Sequence, residues 1–265
     1  MKTTEKTAWL LLAPILLGVA VFFLIPFGIT LYYSVTFGVT GRFVGLQNYV
    51  DVLDSSAFRL AAGNTLRFLG LGVPVNMVLS FALALGMQQR LAGTGMLRTT
   101  QLLPMVVGTA GIVTAAQRLM PTSVWDSPAA FWVLLILYVW KSFGYNTVLY
   151  LAGLNGIPTD YYRMADLEGA TSGQKLRYIT LPLMVPTFFF VFVISVINCF
   201  RSYREAFLLA GEHPHESVYM LQHFLSNNFK NLNYQRLSVA AVCLFALVAV
   251  LCAVLYRGAR EEEVV

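Results

Sequence analysis

Charge is what this chain has least of: only 12% of its 265 residues are Asp, Glu, Lys or Arg, against about 25% in a soluble domain. A water-soluble fold of this length could not wet its surface with so few charges, so one globular core is excluded. Cysteine is scarce as well. Cys199, Cys243 and Cys252 lie in apolar stretches with no Cys-x-x-Cys pair and no neighbouring His; they read as small apolar residues facing lipid or other helices. The three histidines, His213, His215 and His223, fall in one polar segment and read as solvated loop residues rather than a metal or catalytic set. No Gly-x-x-x-x-Gly-Lys-Ser/Thr stretch occurs, so the chain does not hold ATP in the P-loop manner. No run interleaves Lys and Arg with aromatics, so no nucleic acid is expected as a partner.

What is present is hydrophobic length. The chain is 57% hydrophobic with a mean hydropathy of +0.67 and a net charge of +5 spread along it, which makes membrane lipid its natural solvent. Lys2 and Lys6 precede an apolar run, but that run is uncharged from Thr7 to Gly41. It is far longer than the roughly 7–15 residues of a signal-peptide core and is read as a retained first span. A spanning helix needs about 20 mainly apolar residues. The gaps between charges predict six: 8–35, 66–89, 99–119, 128–152, 183–209 and 237–256. The expected fold is therefore an all-α integral membrane protein, with residues 1–265 forming a single transmembrane domain. Basic residues flanking short loops favour cytoplasmic N- and C-termini, in a multi-pass protein.

With that topology the loop 155–181 is cytoplasmic. Asp160 is expected to cap a short helix through Leu167, with Tyr161, Met164 and Ala165 on one face. Gly169 supplies a residue able to leave the helix with positive φ. Thr171-Ser172-Gly173-Gln174 has capping-box spacing and predicts a second short helix running to Pro182. A helix–glycine–helix module of this kind suits gripping by a partner, and the plain alternative is a helix lying on anionic lipid.

The same loop carries a family resemblance. Ala152 through Pro158, Tyr161 through Ala165, Glu168-Gly169-Ala170 and Ile179-Thr180-Leu181-Pro182 resemble the EAA loop of ABC importer permeases. In that family Glu-Ala-Ala is followed after three residues by Gly and after nine more by Ile-x-Leu-Pro. Phe43 through Tyr49, Asn64-Thr65, and Glu205 through Pro214 followed by Tyr219, Phe224 and Phe229, look like segments of the carbohydrate branch, specifically the maltose-transporter-type first permease. The last of these is similar to that branch's outer loop. Two departures stand out: Glu-Ala-Ala is here Arg163-Met164-Ala165, and the segment Arg118 to Ser127 is shorter than its family counterpart. The tail from Arg257 lacks the Gly-rich ending of the second sugar permease, which places this chain as the first of an unlike pair.

The resemblance implies a type I importer fold in a bacterial cytoplasmic membrane. It implies as partners a second permease subunit in a heterodimer, two ATP-binding subunits and an extracytoplasmic solute-binding protein. No cofactor is expected on this chain, ATP being bound by the partner subunits. Arg163, Met164, Ala165, Glu168, Gly169, Ala170, Ile179, Leu181 and Pro182 would couple it to the ATPase.

Polar residues inside spans point to the solute path, since a Lys near the bilayer centre costs about 2.5–3.5 kcal/mol and is usually kept for a cavity or a partner. Lys141, Ser142 and Tyr145 share a face of span four, and Asn198, Arg201 and Ser202 share one of span five. Both sets match the family's sugar-contacting stretches. With Trp140 they offer aromatic faces for sugar C–H surfaces and polar groups for hydroxyls. The competing explanation is interhelical hydrogen bonding with snorkelling of Lys141 and Arg201. As a whole the chain reads as a permease for a sugar or oligosaccharide and not an enzyme. A gradient-driven secondary transporter is the alternative, though its inverted repeats and paired acidic residues are not evident.

Overall fold

The computed structural model describes residues 2–38, 40–88, 100 and 103–262. Two compact units emerge, one from the described residues of 1–59 and 224–248, the other from those of 60–223 and 249–265.

The first unit opens with α1 (Lys2–Val19) and α2 (Ile25–Val35), joined without a break by a π-helical turn, Ala20–Leu24. The cause of the turn is Pro26. Its ring would strike the carbonyl four residues back in a regular helix, and one turn of wider pitch relieves that clash. Residues 11–35 have none of their most apolar window buried, and Phe22 and Phe23 stand bare. In water such a helix would be an aggregation site; in a bilayer it is a solvated surface. A two-residue hairpin follows, β1 (Thr36–Phe37) pairing antiparallel with β2 (Arg42–Phe43), and then α3 (Gln47–Leu53). Asn48 donates from Nδ2 to the carbonyls of Ser34 (3.1 Å) and Thr36 (2.9 Å), and Tyr49 O–H reaches Ser34 Oγ at 2.9 Å. The Phe43–Tyr49 segment thus closes the end of α2, satisfying carbonyls that a helix terminus leaves open.

The second unit holds most of α4 (Ser56–Gln88), then α5 (Leu103–Val106), α6 (Thr109–Leu119) and α7 (Ala129–Gly156). After α7 come α8 (Thr159–Leu167), α9 (Ser172–Lys175), a second π turn Leu176–Thr180, α10 (Leu181–Leu183), α11 (Val185–Arg201) and α12 (Tyr203–Ala210). The second π turn ends two residues before Pro182, as the first ends two before Pro26. The last two helices are α13 (Leu221–Lys230) and α14 (Tyr234–Glu262), whose residues 224–248 belong to the first unit.

The core of this unit sits where α4, α7 and α11 meet around Met87, Tyr150, Leu154, Met184 and Val191. Phe81, Tyr150 and Phe188 interlock edge to face with centroids 4.9–5.3 Å apart. Gly153 lets α7 and α11 approach closely, for a Cβ there would lie 2.5 Å from Thr187 Oγ1. Polar pairs tie the same helices: Asn146 Nδ2 donates to Ser195 Oγ (2.8 Å), and Tyr138 O–H to the Ser195 carbonyl (2.9 Å).

Among the described residues, four helical stretches are long and apolar enough to cross a membrane: 11–35, 56–88, 185–210 and 234–254. The helix α7 has the length but carries Lys141, Ser142 and Asn146 in its middle. Where the sequence predicts a span over 99–119, the structure has α5 and α6 separated by a break at Val107-Gly108, and residues 99, 101 and 102 lie outside the described residues.

Candidate functional site

Between α6, α7, α11 and α12 of the second unit lies a cavity of about 530 Å³, within the 300–1,000 Å³ typical of small-molecule sites. The helix α7 contributes Leu134, Tyr138, Lys141, Ser142 and Tyr145, a stripe at helical spacing. The next two helices add Asn198, Arg201, Ser202, Arg204 and Glu205, and α6 adds Thr109. Six of the seven residues predicted for the path therefore line one space. Trp140 does not: it lies far round the helix from the Tyr138–Tyr145 stripe and is 44% exposed on another side. Its angle on the helix turns it away from this cavity.

The cavity's polar centre was missed from the sequence. Glu205, only 5% exposed, forms an ion pair with Lys141. Thr109 completes a triangle, accepting from Lys141 Nζ at 3.1 Å and donating to Glu205 Oε1 at 3.0 Å. One hydroxyl hydrogen and its lone pairs satisfy both contacts. Three helices are joined at a point where an unpaired ion would be costly. In the sequence Glu205 falls both within the predicted span 183–209 and at the start of the segment resembling an outer loop; the structure puts it in the first turn of α12, continuing the apolar stretch 185–210. An acid one helical turn from Arg201 and Ser202 was the available signal.

His223 also departs from expectation. It is fully buried, accepts from the Met220 N–H at Nδ1 (3.1 Å), and packs against Tyr203 and Tyr219 with centroids 4.7 and 5.7 Å away. Burial, reinforced by the like charge of His213, pulls its pKa down to about 4.

The second feature is the loop 155–181. The helix α8 ends in a full Schellman motif: Gly169 takes φ +74°, Ala170 N–H donates to the Ala165 carbonyl (2.9 Å) and Gly169 N–H to that of Asp166 (3.1 Å). Thr171 and Gln174 then form a reciprocal capping box. Tyr162 O–H meets Thr180 Oγ1 at 3.0 Å and Lys175 pairs with Asp166, so the two short helices are cross-braced. Asp160 is not the cap: Pro158 holds that position, and Asp160 sits in the first turn 3.3 Å from Arg163. Arg163 and Glu168 are exposed, Ala165, Ala170 and Ile179 half-buried, and Leu181 and Pro182 exposed at the start of α10. Met164 and Leu167 stand bare, Leu167 at 90%. An apolar knob on a rigid two-helix mount is suited to insertion into a groove.

Apolar helices enclosing a polar cavity, together with an exposed braced loop, define a multi-pass membrane protein built to pass a solute and engage a partner. Residues 76–260 match the family model described as the binding-protein-dependent transport system inner membrane component, and the chain belongs to that family. It is 30% identical over 266 residues to the trehalose/maltose transport system permease protein MalF of Thermococcus litoralis, covering 92% of this chain and 90% of that one. It is 27% identical over 277 residues to the sn-glycerol-3-phosphate transport system permease protein UgpA of Agrobacterium fabrum, covering 96% and 94%. The fold is shared with a chain of a bacterial ABC transporter involved in the import of the acidic polysaccharide alginate: TM-score 0.79, 21% identity, 98% of each chain covered.

Proposed function

We propose that this chain forms half of the solute path of an ATP-driven importer of a sugar or oligosaccharide. The observation that carries the reading is the polar cavity enclosed by apolar helices, with Tyr145, Asn198 and Ser142 on its wall. Tyr145 offers a face to sugar C–H groups, while Asn198, Ser142 and Ser202 replace the water hydrogen bonds of its hydroxyls. The relatives named for trehalose/maltose and for sn-glycerol-3-phosphate transport support a solute of that size and polarity.

In this reading six spans cross a bacterial cytoplasmic membrane with both termini inside. The partners are a second permease, two ATP-binding subunits and an extracytoplasmic binding protein. A solved relative of the same fold was captured with an alginate pentasaccharide-bound periplasmic protein, which supports the last of these. The loop 155–181 docks into the ATPase through Met164, Leu167 and their neighbours. Its Schellman motif and capping box make it a lever stiff enough to pass a nucleotide-driven movement to α7 and α11. Because an arginine, weakly paired with exposed Asp160, stands where the family carries an acid, docking relies on the apolar knob more than on a negative charge at the first EAA position.

The test is uptake in proteoliposomes. The complete assembly with ATP enclosed should concentrate solute, whereas this chain alone should neither hydrolyse ATP nor accumulate anything. Accumulation by the chain alone, driven by an ion gradient, would overturn the reading.

A further inference from the structure

The cavity is electrically unbalanced. Its wall carries three cations, Lys141, Arg201 and Arg204, against one carboxylate, Glu205, an excess of two positive charges. Glu205 is already engaged, receiving hydrogen bonds from both Lys141 and Thr109 on one oxygen. Arg201 and Arg204 form no ion pair or hydrogen bond among the described residues, and both stay exposed. They lie three residues apart across the α11–α12 junction, so both line the same wall.

A neutral sugar needs neither of them. Amide and hydroxyl groups satisfy sugar hydroxyls, and Asn198, Ser142 and Ser202 already supply those. A guanidinium differs from an amide in presenting a fixed fork of donors that matches a carboxylate or phosphate in bidentate fashion. Charges in such a setting are expensive and mark the path of an ion or its counter-charge.

We propose that the cavity selects an anionic solute, a saccharide bearing carboxylate or phosphate groups, with Arg201 and Arg204 as the specificity-determining residues. Lys141 is the positioning residue, locked to Glu205 and holding α7 against α12. The proposal rests on the reading of this cavity as the solute path.

The test uses the assembly of this chain with its second permease and the two ATP-binding subunits in phosphatidylcholine nanodiscs, and two matched pairs of probes: trigalacturonate with its trimethyl ester, and glucose 6-phosphate with glucose. Equilibrium dialysis should show the charged member of at least one pair held about tenfold or more tighter than its neutral partner. In the double variant Arg201→Gln, Arg204→Gln that preference should vanish, the charged and neutral members of each pair then binding within about twofold of each other. Equal binding within both pairs, no binding of any probe, or a preference that survives loss of both arginines would overturn the proposal. So would a preference abolished by replacing the lipid with phosphatidylglycerol, since the cations would then belong to lipid phosphates. The two readings fail differently. If the neutral probes bind equally well and Tyr145→Ala or Asn198→Ala abolishes that binding, the path stands and the charge selection falls. If no probe binds, both fall.

Discussion

At the scale of single residues, the Lys141–Glu205–Thr109 triangle controls the integrity of the cavity. Lys141→Met leaves Glu205 buried without its counter-charge, a loss on the order of 3 kcal/mol. Adding Glu205→Gln should restore much of it, because a neutral amide still accepts from Thr109. Thermal unfolding of the singles and the double in detergent would show this as strong coupling; additive effects would mean the pair contributes nothing in the membrane. His223 supplies a pH-dependent counterpart outside the spanning helices. Its folded pKa of about 4 lies below the usual 6.5, so the unfolded chain takes up a proton first as pH falls. Stability is unaffected above about pH 6.5 and declines from there toward pH 4, by up to roughly 3 kcal/mol. Protonation would also remove the Nδ1 lone pair that accepts from Met220. His223→Asn should flatten that decline, and an unchanged pH profile in the variant would refute the assignment.

At the scale of elements, the features legible in sequence are those set by neighbours along the chain. Thr171 and Gln174 are three apart, and Gly169 follows the last turn of α8; capping needs nothing more than that spacing. That the polar residues of α7 and α11 share one cavity wall is legible for the same reason, since one face of a helix is arithmetic. Trp140 falls outside that wall because its angle on α7, and not its aromatic character, sets its position. Glu205 and His223 were misread because their burial depends on helices distant in sequence, which no local pattern reveals. The break between α5 and α6 was hidden by an uninterrupted apolar composition. The element most exposed to test is the turn at Gly169. A Cβ there meets nothing within 4 Å, so the penalty for a side chain is conformational alone, about 1 kcal/mol or more for a branched one. Gly169→Val should leave the protein inserted but weaken co-purification of the ATPase or lower uptake per ATP hydrolysed, while Gly169→Asn, which tolerates positive φ, should retain both. Wild-type coupling in Gly169→Val would reduce the loop to a lipid-surface helix.

At the scale of the whole molecule, the fold is that of an importer's membrane component, and the family assignment covers residues 76–260. The bare apolar surfaces of α2, α11 and α14 are ordinary in lipid, so most of the chain's hydrophobicity is solvent matching rather than core. What lipid does not explain is a cavity of about 530 Å³ walled with hydroxyls, an amide and guanidiniums that have no ion pair among the described residues. The central claim is that solute passes through that space, opening to one side of the membrane and then the other. It is tested most directly by replacing Cys199, Cys243 and Cys252, placing single cysteines at Tyr145 and Asn198, and labelling the complete assembly in sealed vesicles with a membrane-impermeant thiol reagent. Labelling should occur from one side without nucleotide and switch to the other when ATP is bound and hydrolysis blocked; labelling confined to one side in both states, or absent in both, would contradict the account.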